Sequence, residues 1–438
     1  MKTILSILTI VFFSNLILAQ NTVIPDQNFE QELINLGLDT GIPNGFVPTV
    51  NIDTLTSLDV SNNSITNLTG IEDFTDLVIL DCSWNQITML NVTQNAQLID
   101  LNCRQNQQLS SINVTQNQLL EKLDCGQTQI TNLDVSQNIN LTELRVRFAQ
   151  LTSLDVTQNT SLRLLNCYSN QITNLNVTQN TDLINFSCSW NLLQNIDVSQ
   201  NTQLITFSCD YNLINFLDVT FNVNLEGLWA HNNQLTSIDI RNNTLLNSLA
   251  VSYNQITTLD FSQNPLMWSI DCLNNQISEI NISQNPLVEF LACRENNLTC
   301  LNVKNGNNHN FFYFDAFDNP NLNCIKVDDP NWSTNNWTFI DSWTSFNTSC
   351  SNPCLVGIEE QKLKDISIYP NPTTNKVNIA LGNLTDVTIT VINVFGKIIA
   401  VTKATSKQHQ LILPNKKGLY FIRLNSNGET QNFKVIKE

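Results

Sequence analysis

Several residue types are scarce in this chain of 438 residues, and each shortage excludes a class of function. Charged residues make up only 13%, and 38 Asp and Glu outnumber 21 Lys and Arg, for a net charge of −17. A general nucleic-acid binder needs basic surface to meet phosphate, so this balance argues against one. With 12 Gly and 3 His, the chain also lacks the residues for a glycine-rich dinucleotide fold or a His-rich metal site.

Long apolar runs are absent after the first twenty residues. Residues 1–20 contain one basic residue, Lys2, followed by an apolar stretch from Ile4 to Leu18 that polar residues interrupt. This stretch is too short and too interrupted for a membrane span, and it is typical of a signal peptide that is cut near Ala19. We therefore expect export, and we expect no transmembrane segment.

A period of 21 or 22 residues runs through the middle of the chain. One position, hereafter the index column, is a small apolar residue in each coil: Val60, Cys82, Cys103, Cys125, Val146, Cys167, Cys188, Cys209, Ala230, Val251, Cys272 and Cys293. Three residues later comes Asn in ten of these twelve coils, with Thr128 and Ala149 as the exceptions. A second Asn column, which recurs from Asn95 to Asn285, has no exception.

A repeat of this length predicts a solenoid, because one coil cannot bury its own apolar face and coils must stack. Alternation places Leu80 and Cys82 on the inner face of a strand, and Asp81 and Ser83 on its outer face. Stacked strands form a parallel sheet, and Asn in register can bond backbone groups at bends that have no ladder partner. The second half of each coil repeats a strand-like phrase, L-D-V-S-Q-N, so we expect a short strand on the convex side as well.

The motif L-x-x-L-x-C-x-x-N, as in Leu98–Asn106, resembles the leucine-rich repeat family in its bacterial, internalin-like form. The resemblance covers about residues 51–325, with Cys at the index column where the family usually has Leu or Ile. It implies a mostly β, curved solenoid of about 12–13 coils with a helical N-terminal cap. We expect that cap at residues 21–50, beginning at Asp26 and burying Phe29, Leu33 and Leu36. We expect a C-terminal cap at residues 326–354, in which Trp332, Trp337, Phe339, Trp343 and Phe346 cover the last coil.

The twelve Cys fall into two groups. The eight in the index column share their position with Val and Ala, so we expect them to be buried free thiols that serve as small apolar side chains. Side chains in register lie about 4.8 Å apart, whereas a disulfide needs Cβ atoms about 3.8 Å apart. The other four, Cys300, Cys324, Cys350 and Cys354, lie near the C-terminal cap. A bridge between Cys324 and Cys350 is the leading expectation, and Cys300–Cys324 is the alternative.

The outer face of the predicted sheet varies from coil to coil, whereas the rest of the repeat barely changes. Aromatic and Arg residues are frequent there: Trp84, Arg104, Arg145, Arg147, Phe148, Tyr168, Trp190, Tyr211, Trp229 and Tyr253, with Asp210 and His231 among them. Stacking of coils does not require exposed rings, and Trp, Tyr and Arg are enriched in binding sites. We expect this concave face to bind a protein or a glycan. The alternative is that the rings only protect the strands or pack on one another.

Catalysis finds little support in the sequence. His231, His309 and His409 are scattered and lie outside any nucleophile motif. Carboxylates such as Asp81 and Asp271 could form a glycosidase-like pair, but a repeat produces such pairs by itself. We therefore expect no enzyme activity, no cofactor and no metal site.

The tail differs in composition, because residues 355–438 contain eleven Lys and Arg against six Asp and Glu. Seven short apolar runs between residues 365 and 438 alternate with Pro- and Gly-containing turns. They predict a small β-sandwich that follows a linker at residues 355–364.

Four motifs of the tail resemble the type A C-terminal sorting domain of the type IX secretion system. They are Tyr369-Pro370-Asn371-Pro372, Val394-Phe395-Gly396-Lys397, Leu413-Pro414 with Gly418-Leu419-Tyr420, and Phe433-Lys434-Val435-Ile436-Lys437. The resemblance implies a Bacteroidetes-type source and passage through the periplasm, with translocation by the type IX machinery and removal of the tail. It also implies release, or anchoring to surface lipopolysaccharide.

Taken together, the sequence indicates an exported leucine-rich repeat binding protein of the cell surface, either an adhesin or a recognition scaffold. The alternatives are a polysaccharide-binding accessory to surface hydrolases and an adaptor-like scaffold.

Overall fold

The structure, a computed structural model, describes residues 20–351, 354, 366–381, 384, 386–393, 397–404, 406–414, 416–426 and 429–437. The predicted signal peptide up to Ala19, the whole predicted linker at residues 355–364, and Val394, Phe395 and Gly396 of the sorting motifs lie outside these residues. The chain divides into two compact units, residues 1–355 and 356–438. Within the described ranges, neither α-helix has the length and apolar composition that crossing a bilayer requires.

The first unit begins with an N-terminal cap. Strands Asn21–Val23 and Phe46–Pro48 pair antiparallel, and the helix Gln27–Asn35 lies between them in the chain. Asp26 begins this helix, as predicted, because its carboxylate accepts the backbone N–H groups of Asn28 and Phe29.

The capping carboxylate also joins the cap to the first coil. Its second oxygen accepts hydrogen bonds from the backbone N–H of Thr66 and Asn67, at 2.8 and 3.0 Å. Phe29 and Leu33 are fully buried, but Leu36 is 48% exposed because it follows the last helical residue. The prediction that Leu36 shares the buried stripe is therefore wrong.

The body of the first unit is a parallel sheet of thirteen three-residue strands, one from each coil. In chain order these are Ser57–Asp59, Ile79–Asp81, Asp100–Asn102, Lys122–Asp124, Glu143–Arg145, Leu164–Asn166, Asn185–Ser187, Thr206–Ser208, Gly227–Trp229, Ser248–Ala250, Ser269–Asp271, Phe290–Ala292 and Tyr313–Asp315. Consecutive strands pair in register, so Leu165 lies between Leu144 and Phe186. The central residue of each strand and the index residue after it are buried in one continuous core. The predicted mostly β solenoid is confirmed.

Short convex strands form only near the two ends of the solenoid. They are Leu90–Asn91 with Ile112–Asn113, and then Glu279–Asn281, Cys300–Asn302, Cys324–Lys326 and Ser345–Asn347. In the intervening coils the L-D-V-S-Q-N segment forms turns. In these turns a side chain such as that of Asp134 accepts a hydrogen bond from the backbone N–H two residues later. Single turns of 3₁₀ helix occur at Thr49–Asn51, Ile71–Asp73 and Asn308–Asn310.

In the first Asn column, every member from Asn85 to Asn296 both donates and accepts hydrogen bonds through its side chain. Asn191 donates to the carbonyls of Cys167 and Cys188, each at 3.0 Å, and its Oδ1 accepts the N–H of Ile172 at 3.0 Å. Of the two exceptions, Thr128 still donates its hydroxyl to Cys125 at 2.9 Å. The column therefore links each coil to the preceding coil at the end of each strand.

The second Asn column is bonded differently. Asn180 is fully buried, and its amide donates to the carbonyls of Val156 and Asn159 at 2.9 and 2.8 Å. Its Oδ1 has no hydrogen-bond partner among the described atoms, and the same is true of the other nine members of the column. These side chains therefore act chiefly as donors to carbonyls at a bend.

The eight index-column cysteines are free and buried, in the runs Cys82–Cys103–Cys125, Cys167–Cys188–Cys209 and Cys272–Cys293. Burial raises the pKa of all eight thiols, to about 12 in Cys125 and Cys167. A thiol held in its neutral form is a poor nucleophile and a poor metal ligand. The column therefore acts as apolar packing.

We expect these eight thiols to resist a thiol-specific aromatic disulfide reagent at pH 8 in the folded chain and to react once it is unfolded in guanidinium. The pKa of each thiol is higher in the folded state than in the unfolded state. The neutral thiols therefore contribute their full stabilisation of the folded state below the unfolded pKa near 9. We expect the free energy of unfolding to fall as the pH rises above that value. Fast labelling of the native chain, or stability that does not change between pH 8 and pH 10, would contradict this account.

The C-terminal cap includes the helix Pro330–Asn336, which begins at Asp329. Trp337 is 5% exposed and stacks on Phe314 at a centroid distance of 4.1 Å, and Phe346 packs against the same core. Phe339 and Trp343, by contrast, are more than half exposed, so the prediction that they cover the last coil is wrong.

Two disulfides close this cap. Cys324 is bonded to Cys350, the leading pairing in the sequence analysis. Cys300 is bonded to Cys354, so the alternative Cys300–Cys324 pairing is wrong. Cys324 cannot bond both, and the strands Cys324–Lys326 and Ser345–Asn347 are neighbours that bring Cys324 near Cys350.

The second unit is a small β-sandwich. Strands Ser367–Tyr369, Lys376–Ala380 and Gln408–Ile412 form one antiparallel sheet, and strands Thr388–Asn393, Ile398–Lys403, Gly418–Ser426 and Glu429–Lys437 form the other. Apolar residues from both sheets form one core, which includes Ile379 and Ile422. The seven strands correspond to the seven apolar runs of the sequence.

Candidate ligand-binding face

The outer face of the thirteen-stranded sheet has a regular border. The residue two positions after the index residue, hereafter the rim column, has a positive φ of 51–60° in every coil: Asn62, Trp84, Gln105, Gln127, Phe148, Ser169, Trp190, Tyr211, Asn232, Tyr253, Asn274, Glu295 and Asp318. Rim N–H groups continue the ladder, as Trp190 donates to the carbonyl of Asp210 at 2.9 Å. The rim is therefore a feature of the backbone that each coil repeats.

Five rim positions carry aromatic side chains, although this conformation disfavours them. A bulky residue with positive φ costs on the order of 1–3 kcal/mol relative to an ordinary conformation, whereas Asn and Asp tolerate it better. Trp84, Phe148, Trp190, Tyr211 and Tyr253 are 38–53% exposed, so burial offsets only part of that cost. Nothing in the packing of the coils requires rings at these five positions.

The structure brings several predicted rings together in one row, hereafter the aromatic strip: Phe148, Tyr168, Trp190, Tyr211 and His231. Phe148 meets Tyr168 edge to face at a centroid distance of 5.1 Å. Trp190 stacks on Tyr211 at 3.9 Å with an interplanar angle of 22°, and His231 meets Tyr211 edge to face at 5.3 Å. The strip spans five consecutive coils.

Polar groups converge on the middle of the strip. Asp210, which is 8% exposed, accepts the hydroxyl of Ser189, and its other oxygen lies 3.6 Å from His231 Nε2. Burial raises the pKa of Tyr168, and the nearby Asp210 and Tyr211 raise it further. Ser189 donates its hydroxyl to the Asp210 carboxylate and not to the His231 imidazole. These three residues therefore lack the arrangement in which a histidine activates a serine nucleophile.

The predicted arginines lie nearer the N-terminal end of the outer face. Arg145 forms an ion pair with Glu143 at 2.6 Å, so its charge is partly offset. The aliphatic part of the Arg147 side chain lies over Gly126. A Cβ atom at position 126 would come within 2.9 Å of Arg147 Cγ. Arg104 is half-buried, and its Nε has no hydrogen-bond partner among the described atoms.

Three predicted residues do not join the strip. Trp84 and Tyr253 are exposed on the rim, outside the ring contacts described above. Trp229 is half-buried and packs on Gly227, where a Cβ atom would collide with its indole. The ten residues predicted as one face therefore divide into a strip, a basic end and isolated rings.

A second aromatic group at the C-terminal end of the outer face was missed by the sequence analysis. Phe290 stacks on Tyr313 at 4.7 Å, and the guanidinium of Arg294 lies 5.3 Å from the centre of the Phe317 ring. Phe290 and Tyr313 lie three positions before the index residue, a column that also faces outward. The outward alternation of the strand could have identified them.

In the tail, the first predicted motif contacts the last strand. Asn371, between Pro370 and Pro372, donates to the carbonyl of Lys434 at 2.8 Å and accepts the N–H of Ile436 at 2.9 Å. The hydroxyl of Tyr420 donates to Lys416 at 2.7 Å. Gly418 begins the strand Gly418–Ser426, and the N–H of Lys397 donates to Asn393.

Comparisons with known proteins agree with both units. Residues 367–438 match the family model described as the secretion system C-terminal sorting domain. Internalin J of Listeria monocytogenes serotype 4b (strain F2365) is 39% identical over 80 residues, which are 17% of this chain and 8% of that protein. The match therefore spans less than a tenth of the curated relative.

Solved structures show the same fold. The functional domain of InlJ from Listeria monocytogenes, which includes a cysteine ladder, has a TM-score of 0.64 and 26% identity over 96% of this chain and 99% of that chain. An internalin, InlF, from strain 4b F2365 has a TM-score of 0.63 and 20% identity over 75% of this chain and 97% of that chain.

Proposed function

We propose that this chain, an internalin-like leucine-rich repeat protein with a C-terminal secretion sorting domain, binds a macromolecular ligand outside the cell through its aromatic strip. The sorting domain indicates export to the cell surface or secretion. The solenoid then acts as an adhesin or recognition scaffold, and it has no catalytic role. The tail is removed after the type IX machinery has translocated the chain across the outer membrane, and the solenoid is anchored or released.

The observation that carries this proposal is the placement of rings on a backbone that disfavours them. Trp190 and Tyr211 are 46% and 38% exposed and have φ values of 55° and 51°. Other coils carry Asn, Gln or Ser at the same column without loss of the fold. Strained and exposed residues that the scaffold does not require are characteristic of functional sites.

Replacing Trp190 and Tyr211 together by Ala is expected to weaken ligand binding at least a hundredfold, because buried aromatic anchors contribute about 2–4 kcal/mol each to an interface. The ligand is first identified by screening the purified chain against a glycan array and against surface extracts of host and neighbouring cells. The affinity of each variant for the isolated ligand is then measured by surface plasmon resonance.

The matched control is Phe216→Ala, which removes a ring that is 67% exposed and lies outside the outer face. It is expected to change the affinity less than twofold. If the double variant bound normally, or if it lost thermal stability together with affinity, the strip would be structural and the proposal would fail. Glycan hits that depend on the strip would favour the alternative role as a polysaccharide-binding accessory.

A further inference from the structure

We propose, building on the function above, that the ligand is a protein whose Lys or Arg side chains enter an acidic trough beside the aromatic strip. The trough extends from strand Asn185–Ser187 to strand Ser269–Asp271 and contains two carboxylates, Asp210 and Asp271.

The floor of the trough consists of small side chains. Across five consecutive coils the outward residues next to the index column and within the strands are mainly Ser, Gly and Ala: Ser187, Ser189, Ser208, Gly227, Ser248, Ala250, Ser252 and Ser269. Trp190 and Tyr211 border this floor on the rim. Trp229 packs on Gly227 within this stretch, so the room for an incoming long side chain lies over the serines and Ala250.

The two carboxylates of the trough have no Lys or Arg partner among the described ion pairs. Asp271 accepts the hydroxyl of Ser252 at 3.1 Å and the N–H of Leu273 at 3.4 Å. Burial raises its pKa, which shows that these bonds do not fully offset the cost of removing the carboxylate from water. His231 lies between the two acids, 3.6 Å from Asp210, and its positive form lowers the pKa of Asp271.

An incoming ammonium or guanidinium group would gain from this arrangement in two ways. It would neutralise carboxylates whose charge is partly desolvated, where electrostatic attraction is stronger than in bulk water. It would also lie beside the rings of Trp190 and Tyr211, and cations bind to aromatic faces with about 0.5–2 kcal/mol. A protein partner supplies such side chains, whereas a neutral polysaccharide does not.

Arg104, Arg145 and Arg147 lie nearer the N-terminal end of the outer face, whereas Arg294 lies in the coil next to that of Asp271 and pairs with Glu295 and Asp318. Arg147 is three coils from Asp210, about 14 Å at the spacing of adjacent strands, which exceeds the Debye length of about 8 Å at physiological salt. A cation at Asp210 is therefore screened from the arginines at the N-terminal end, and the charge of Arg294 is offset by its own partners.

The test is a selection of random twelve-residue peptides displayed on phage against the full chain, compared with two charge-matched variants. Asp210→Asn with Asp271→Asn neutralises the trough. The convex variant, Asp134→Asn with Asp155→Asn, removes the same charge from exposed turns on the convex side. The equivalent residue of the next coil is Asn176, so Asn is tolerated at this position. Selected peptides are synthesised with Lys or with acetyl-lysine, and binding is measured by fluorescence anisotropy at two salt concentrations.

We expect peptides enriched in Lys and Arg from the unaltered chain and from the convex variant, and no such enrichment from the trough variant. Affinity is expected to fall at least tenfold in the trough variant and on acetylation, and less than twofold in the convex variant. Equal enrichment on all three chains would overturn the inference, because it would show only the attraction of a negative protein for cations.

A parallel glycan array separates this inference from the proposed function. Glycan binding that requires Trp190 but not Asp210 or Asp271 would overturn the inference and leave the binding role intact. If neither peptides nor glycans nor surface extracts bound through the strip, both would be overturned.

Discussion

Replacing Asn180 by Ala is expected to lower the free energy of unfolding by about 2–4 kcal/mol, because two buried carbonyls lose a donor and little apolar area is gained. Its amide bonds Val156 and Asn159 in the preceding coil, at 2.9 and 2.8 Å. Its own carbonyl accepts the amide of Asn201 in the next coil at 2.8 Å. The side chain is thus one link in a series that joins each coil to the one before it.

Urea unfolding followed by circular dichroism measures this effect. The control is Gln179→Ala, which truncates the neighbouring exposed side chain and is expected to change stability by less than about 0.5 kcal/mol. Asn180→Asp is expected to be worse than Asn180→Ala, since it removes both donors and buries a charge. An Asn180→Ala midpoint equal to that of Gln179→Ala would show that the column contributes little.

Loss of the Cys324–Cys350 disulfide is the second large effect, with an expected destabilisation of about 2–4 kcal/mol for a loop of this length. The bond holds Ser345–Asn347 beside Cys324–Lys326, and Trp337 and Phe346 pack within the enclosed cap. Terminal coils expose the apolar edge of a solenoid, so opening the cap also exposes core to water.

The variant Cys324→Ser with Cys350→Ser is compared with the unaltered chain by thermal unfolding, with and without dithiothreitol. Reduction should destabilise the unaltered chain more than the variant, which retains only Cys300–Cys354. If reduction and substitution both left the transition unchanged, the cap would be held by packing alone. The eight index-column thiols are not in disulfides and should not contribute to any effect of reduction.

Much of the solenoid was predictable because its physics is local and repeated. The period, the buried Leu and index columns and the donor role of Asn all follow from one coil that is copied thirteen times. Asp26 was identifiable as a helix start because an N-cap acts on the next three residues. The misassigned residues, Leu36, Phe339 and Trp343, lie in the caps, where the repeat no longer constrains the chain.

The sequence by itself determined the class of each unit and the column on which each outward side chain lies. The repeat predicts an in-register sheet, and the tail matches the secretion system C-terminal sorting domain. These are properties of neighbouring residues and of spacing, so they can be read without coordinates.

Only the tertiary structure decided which outward residues act together. Trp190 and Tyr211 stack, while Trp229 packs on Gly227 and Arg145 pairs with Glu143, although all lie on the same face. The pairing of Cys300 with Cys354 was likewise invisible in the spacing. Contacts between coils depend on rotamers, ring orientation and the size of the neighbour above and below. The register of a repeat fixes the position of each Cα atom on the sheet. It does not fix the rotamer of the side chain or the residues that it contacts.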